Sequence, residues 1–216
     1  MDRFVAWVRR VWAKYVIIGK GVYEELSTRY MRSTIREFVI LLAIAAVVYL
    51  GMRFSVHTYI VYGPSMQPNF VENEWIIVNK LSYIFHDPQR GDVIVFKPPF
   101  AETKNYIKRI IGLPGEAVEI KGGKTYVYKP DGTTLILNEP YEAEPSARDV
   151  PKRIVPEGQY YVMGDNRNNS NDSRYGWFAP RENIIGKAWL DIWPPSRWGL
   201  SLNYRLPAML FGAYAQ

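Results

Sequence analysis

Residues 75–79 read Trp75-Ile-Ile-Val-Asn79 and residues 92–96 read Asp92-Val-Ile-Val-Phe96. Both runs are short, β-branched and aromatic, and turn-forming residues bound them, which is the composition of a strand. The same texture returns in Ala117-Val-Glu-Ile-Lys121, Thr125-Tyr-Val-Tyr128 and Thr134-Leu-Ile-Leu137. Pro130-Asp131-Gly132 separates the last two runs and reads as a hairpin turn. No stretch after His57 sustains a long helical period. The expectation is therefore a mainly β fold, with antiparallel sheets that pack together or curl into a partly closed, barrel-like domain. Residues 121–158 are richer in turns and charges, with Glu142-Ala-Glu-Pro-Ser-Ala-Arg-Asp149 at their centre. They read as an inserted β subdomain between the two parts of the main domain, 57–120 and 159–216.

Upstream of the strands the period changes. Phe38 to Met52 carries no charged residue. As a helix it covers about 22 Å, short of a hydrocarbon core of roughly 30 Å. Arg36 and Arg53 can snorkel, and Phe54 to Val56 extend the apolar run, so a transmembrane helix is expected over 34–56. Arg3, Arg9, Arg10, Lys14, Lys20, Arg29, Arg32 and Arg36 precede the span, whereas Arg53 alone follows it closely. That asymmetry predicts a single-pass protein of the plasma membrane, with the N-terminus in the cytoplasm and residues 57–216 outside. Residues 1–33 read as a basic amphipathic segment on the inner leaflet, with Trp7, Val11, Tyr15 and Ile18 able to share one face. Packing between subunits is the plainer role for that face.

The formal net charge of +6 is concentrated around this span, and the part beyond it is close to neutral. A nucleic-acid binder would carry its positive charge on the folded domain, so no nucleic-acid partner is expected and the lipid bilayer is. The absence of Cys excludes disulfides, zinc–thiolate sites and thiol catalysis together.

Two runs carry the chemistry. Ser65 sits in Gly63-Pro-Ser-Met-Gln-Pro68, a stiff turn that can expose a hydroxyl beside backbone N–H groups. By itself this is as well read as an ordinary serine in a proline-bounded turn. Lys108 follows in Tyr106-Ile-Lys-Arg-Ile-Ile-Gly-Leu-Pro-Gly-Glu116, where strand alternation puts Tyr106, Lys108 and Ile110 on one face. Neither of the two His lies in these runs, so imidazole is not the evident activator of the hydroxyl. A lysine amine kept neutral by burial can replace it. The bland alternative is a lysine at a sheet margin with a buried stem and a wet head. A third run, Gly164-Asp-Asn-Arg-Asn-Asn-Ser-Asn-Asp-Ser-Arg174, is too rich in Asn, Asp and Ser for a strand and reads as a loop held by local hydrogen bonds. Arg167 and Arg174 intrude on any calcium reading of Asp165 and Asp172, and the EF-hand spacing is missing.

Taken in order, these three runs and Arg90-Gly-Asp-Val-Ile-Val-Phe96 resemble the type I signal peptidases, also called leader peptidases. The resemblance covers most of the chain beyond the apolar segment. It implies that Ser65 is the acyl-forming nucleophile and Lys108 the general base. It implies that Ser170 hydrogen-bonds the lysine amine, and that Arg109, Asp165, Asp172 and Arg174 form a stiffening salt-bridge network. Some members carry a serine hydroxyl two residues before the nucleophile as an oxyanion donor. This chain has Gly63 there, as other members do, which leaves the Ser65 N–H and a second backbone donor. Asn168 stands where an acid is common. Val61, Met66, Phe70, Tyr106 and Ile107 match positions that line shallow pockets for small side chains. The implied activity is cleavage of signal peptides from secreted preproteins after small-x-small motifs, without metal or cofactor, and with transient contact with the secretion machinery. Trp189, Trp193, Trp198 and Tyr204 suit either a membrane-resting surface or core packing. The C-terminal Ala213-Tyr-Ala215 itself has the small-x-small form. A membrane-anchored β-domain that binds a partner and catalyses nothing is the other reading of the same segments.

Overall fold

The computed structural model describes the backbone of residues 2–101 and 103–203, and the side chains at 5–7, 9–16, 34–51, 53, 55–101 and 103–203. Tyr204, the tail 206–216 and the Ile18 side chain lie outside the described residues. The chain forms two compact units, 1–53 and 54–216.

The first unit is helical. One helix, α1, runs Asp2–Ser55 for 54 residues without a break. No proline occurs before Pro64, so nothing in the sequence interrupts its hydrogen-bond ladder. Within it, Thr34–Gly51 has a mean hydropathy of 2.0, and none of it is buried. This is one helix long and apolar enough to cross a membrane. Arg53 lies in the last turn, where a cation complements the helix dipole. The helix stops one residue short of the expected 34–56 span, because Val56 already opens a strand.

The second unit is antiparallel β. Its larger sheet has eight strands: β1 (Val56–Ile60), β2 (Trp75–Asn79), β3 (Val93–Phe96), β4 (Tyr106–Gly112), β9 (Gln159–Met163), β10 (Ala179–Pro180), β11 (Ile184–Trp193) and β12 (Gly199–Leu200). The spatial order is β1-β2-β11-β3-β4-β9-β10, with β12 on β11. A short helix, α2 (Ser82–Phe85), links β2 to β3. The smaller sheet has the order β7-β6-β5-β8, built from β5 (Ala117–Lys121), β6 (Lys124–Tyr128), β7 (Thr134–Ile136) and β8 (Val150–Ile154). It therefore begins at Ala117, four residues before the expected insertion at 121. The fold class is as the short β-branched and aromatic runs predict.

Three apolar clusters fill the unit. Val61, Met66, Phe70, Ile76, Val78, Val93, Val95, Ile107 and Ala188 form one. Ile94, Phe96, Ile110, Tyr160 and Val162 are among those on the other side of β3 and β4, because alternate residues of these strands point oppositely. The third lies under the smaller sheet, around Val118, Ile120, Val127 and Tyr161. Trp189, Trp193 and Trp198 join none of these and are exposed, which rules out core packing for them.

Among the described residues, β1 and the start of β4 are two of several strand segments with one unpaired side. β1 is the edge of the larger sheet and pairs only with β2. On β4, β3 covers one side from Tyr106 to Arg109, but β9 begins opposite Arg109. Three strands separate β1 from β4 in the sheet order, yet residues 58–63 and 103–108 line a single groove. The sheet is curled into a half-barrel that brings its far edge round toward β4.

Candidate active site

The groove has a volume of about 770 Å³, and Ser65 and Lys108 are both in its lining. The turn that carries Ser65 is braced from below. Met66 and Phe70 are fully buried, and the Phe70 N–H donates to the Met66 carbonyl at 2.9 Å, so one turn of chain points both side chains into the core. Gly63 has φ +78°, a left-handed conformation that favours glycine, while a Cβ there would meet nothing within 4 Å. Conformation, not space, explains why glycine stands at this position.

Lys108 lies in β4 opposite Ile94 of β3. It is 4% exposed, and its Nζ lies 5.4 Å from the Tyr106 ring centroid. Nζ and Ser65 Oγ are hydrogen-bonded at 2.6 Å, and Nζ also donates to the Ile107 carbonyl at 3.0 Å. Burial lowers the amine from 10.5 to about 8. Asp172 and Asp165 pull it back up, and Arg174 adds to the lowering. A substantial fraction of the amine is thus neutral in mildly alkaline water, where an exposed lysine would be charged. The Ser65 N–H has no acceptor among the described residues, and the Ser65 carbonyl accepts from the Asn166 N–H at 3.1 Å.

The loop of residues 164–174 packs behind this pair. Arg109, fully buried, grips Asp165 with two prongs, Nε at 2.8 Å and Nη2 at 2.6 Å. Its Nη1 donates to the carbonyls of Gly91 and Leu202. Arg174 holds Asp172 in the same two-pronged way, at 2.8 Å for each prong. Asp172 also accepts from the Gly164 N–H at 3.0 Å. Asp165 and Asp172 are therefore spent on arginines.

Several expectations need correction. Ser170 does not hydrogen-bond the Lys108 amine; its Oγ is buried with no partner among the described residues. The hydroxyl is lodged against Gly164, where a Cβ would lie 2.3 Å from Ser170 Oγ and also 2.3 Å from the Ser65 carbonyl oxygen. The amine is satisfied elsewhere, by Ser65 and Ile107. Met66 and Phe70 do not line the groove, because they turn inward beneath it, whereas Val61, Tyr106 and Ile107 are on its walls. Gly63, Thr58, Tyr62, Lys104 and Asn171 line it as well.

Other site-supporting residues escaped the sequence reading. Arg167 is buried and paired with Glu139 at 2.5 Å and with Glu142 at 2.8 Å. Tyr141 stacks under the Arg109 guanidinium, 4.1 Å from carbon to ring centroid. Asn168 ties the loop to the smaller sheet's connection, accepting from the Ala147 N–H at 2.9 Å and donating to the Pro145 carbonyl at 3.2 Å. That gives the amide at this position a concrete role. The one sequence signal for this bracing was the excess of arginine in a loop otherwise made of Asn, Asp and Ser.

Residues 31–193 match the model of the family described as signal peptidase, peptidase S26. The chain belongs to the signal peptidase family. Probable signal peptidase I-1 of Synechocystis sp. is 44% identical, over 76% of this chain and 86% of that protein. Signal peptidase I of Aquifex aeolicus is 33% identical, over 74% of this chain and 83% of that protein. A crystal structure of a signal peptidase I from Enterococcus faecalis shares 33% identity, covers 47% of this chain and 97% of that one, and superposes with a TM-score of 0.40. Membership in the signal peptidase family makes the protein a hydrolase of peptide bonds and implies a serine protease that acts on signal peptides.

Proposed function

We propose that this chain is a membrane-anchored endopeptidase that removes N-terminal signal peptides from exported preproteins after small-x-small motifs, with Ser65 as nucleophile and Lys108 as general base. One observation carries the reading: a buried lysine amine, lowered to about 8, lies 2.6 Å from a serine hydroxyl at the wall of an open groove. In the neutral state Nζ accepts the Ser65 proton as Oγ attacks the carbonyl after the last residue of the signal. The Ser65 N–H, without an acceptor among the described residues, is left to donate to the developing oxyanion. The protonated amine gives its proton to the leaving nitrogen, and the neutral amine then activates water to release the acyl group.

The substrate enters as an extended strand between β1 and the start of β4, where both walls offer unpaired backbone. Val61, Tyr106 and Ile107 bound the pockets for its small side chains. Gly63, Arg109, Asp165, Asp172 and Arg174 hold the walls and the loop. Ser170 Oγ, without a partner among the described residues, is available to the amine as charge develops on it. Residues 34–55 anchor the chain, 1–33 stay in the cytoplasm, and the catalytic domain, with the smaller sheet inserted in it from Ala117 to Ile154, works at the outer surface of the plasma membrane. The exposed Trp189, Trp193 and Trp198 suit contact with that surface.

Purified full-length protein in lipid vesicles, mixed with a preprotein bearing an Ala-x-Ala site, tests the chemistry. The wild type is expected to release the signal, and Ser65→Ala and Lys108→Ala to lose turnover while melting normally. Undiminished cleavage by either folded variant overturns the mechanism. Protease accessibility of residues 57–203 on intact cells checks the topology.

A further inference from the structure

The distance between a nucleophile and its base has to be held to tenths of an ångström, yet Ser65 and Lys108 sit on segments 43 residues apart. β4 is fixed by its pairing with β3. The Ser65 turn is not part of any sheet, so something must register it to β4. The Asp165 carboxylate is in position to do so. It is fully buried, and it holds Arg109, the neighbour of Lys108, through both oxygens. Its Oδ2 also accepts from Asn69 Nδ2 at 2.8 Å, and Asn69 lies four residues after Ser65.

Asn69 is itself fixed at both ends. Nδ2 donates a second hydrogen bond to the Tyr141 carbonyl at 2.6 Å, and Tyr141 is the residue stacked under Arg109. The Asn69 carbonyl accepts from Arg197 Nη2 at 2.5 Å, and Arg197 Nε is paired with Glu74 at 2.9 Å. An amide nitrogen has two N–H donors, and both are spent here; a hydroxyl has one.

We infer that Asn69 is a positioning residue for the Ser65–Lys108 pair: through the shared Asp165 carboxylate it locks the turn that bears the nucleophile to the strand that bears the base. The same bond has an electrostatic side. The charged groups that act on Lys108 are Asp172, Asp165 and Arg174, and the Asp165 charge raises the amine's affinity for a proton. An N–H donated to Asp165 partly neutralises that charge, so Asn69 also helps keep Lys108 deprotonated.

The inference rests on the Ser65–Lys108 mechanism proposed above, and the test separates the two. Full-length Asn69→Ala in vesicles is compared with wild type in preprotein cleavage across pH 6–10, with Ser65→Ala as a control and thermal melting alongside. The limiting kcat at high pH is expected to fall about 10- to 100-fold with little change in KM, because a loosened pair loses near-attack geometry. The acidic limb of the rate profile is expected to move upward by roughly half a pH unit, because Asp165 is less neutralised. Asn69→Ser keeps one donor at shorter reach and is expected to fall between the two. A merely structural asparagine would lower the melting temperature and leave the limb in place. A wild-type limb and plateau in Asn69→Ala overturn the inference; should that variant not fold, Asn69→Ser decides on the same two readouts. If Ser65→Ala cleaves normally, the mechanism itself has failed, and that result is distinct from an unchanged Asn69→Ala beside an inactive Ser65→Ala.

Discussion

Gly164 and Ser65 touch back to back: a Cβ on Gly164 would lie 2.3 Å from the Ser65 carbonyl oxygen. It would also lie 2.3 Å from Ser170 Oγ and 2.6 Å from Ser170 Cβ. Both neighbours belong to the site, so neither can yield without moving it. Gly164→Ala is expected to cost about 1–3 kcal/mol of stability by overpacking and to reduce kcat about 100-fold or more. Denaturation and cleavage assays on one preparation check this. A folded variant of wild-type rate would show that the site tolerates the shift.

Lys108 sets a pH dependence of stability whose sign is opposite to that of a paired lysine. Its folded-state value, about 8, lies below the 10.5 of the unfolded chain. Below pH 8 the unfolded chain holds the proton more favourably than the fold does, and the cost is about 3 kcal/mol. As pH rises from 8 to 10.5 that cost disappears. Lys108→Met is therefore expected to be inactive and more stable than wild type at pH 7, with the advantage vanishing above pH 10.5. Urea unfolding at pH 7, 9 and 11 measures the difference. A constant advantage would assign it to packing instead.

The rate profile responds to the acids around the amine. Wild-type cleavage is expected to rise with pH about a midpoint near 8. Among the charges that act on Lys108, Asp172 makes the larger opposing contribution to its lowering. Asp172→Asn removes that contribution, so its midpoint is expected at lower pH, the reverse of Asn69→Ala. An upward move would mean that loosening of the Arg174 side dominates.

Ser170→Ala removes a buried hydroxyl that has no hydrogen-bond partner among the described residues. Loss of an unsatisfied polar group is expected to leave stability unchanged or raise it by about 1 kcal/mol. If the hydroxyl serves the charging amine, kcat is expected to fall at least about tenfold. Melting temperature and kcat together separate the roles: a less stable, fully active variant would make Ser170 structural.

Arg109→Met strands Asp165 as an unpaired buried charge, which is expected to cost about 3–5 kcal/mol. Chemical denaturation tests this, and the double variant Arg109→Met with Asp165→Leu is expected to recover much of the loss. If the double variant is as unstable as the single one, the pair's worth lies in its other bonds, to Gly91 and Leu202.

The half-barrel and the apolar helix were legible because their signals are local and compositional. The short β-branched and aromatic run of β3 and the uncharged run in α1 survive in the bare sequence. Ser65 and Lys108 were legible as a motif at a spacing, although the 2.6 Å between them was not. Met66 and Phe70 were misread as pocket walls because a single turn of chain decides whether they face up or down, and no period marks that turn. The bond expected at Ser170 depends on how the 164–174 loop seats that side chain, here against Gly164, which composition does not encode. Arg167 pairs with Glu139 across 28 residues, into a stretch that looked like an insertion, so nothing local announced it.

The burial of Lys108 makes the acidity of its amine a property of hydrocarbon. Desolvation is the dominant influence on it, and the cluster of Val61, Met66, Phe70, Val95 and Ile107 belongs to the dry surroundings of the site. Substitutions at Val61, Val95 or Ile107, which line the groove with Lys108, that let water closer to the amine make it a stronger base. Adaptation of such an enzyme to a more acidic or more alkaline habitat could then proceed through ordinary aliphatic substitutions in its interior, with every titratable residue left as it is.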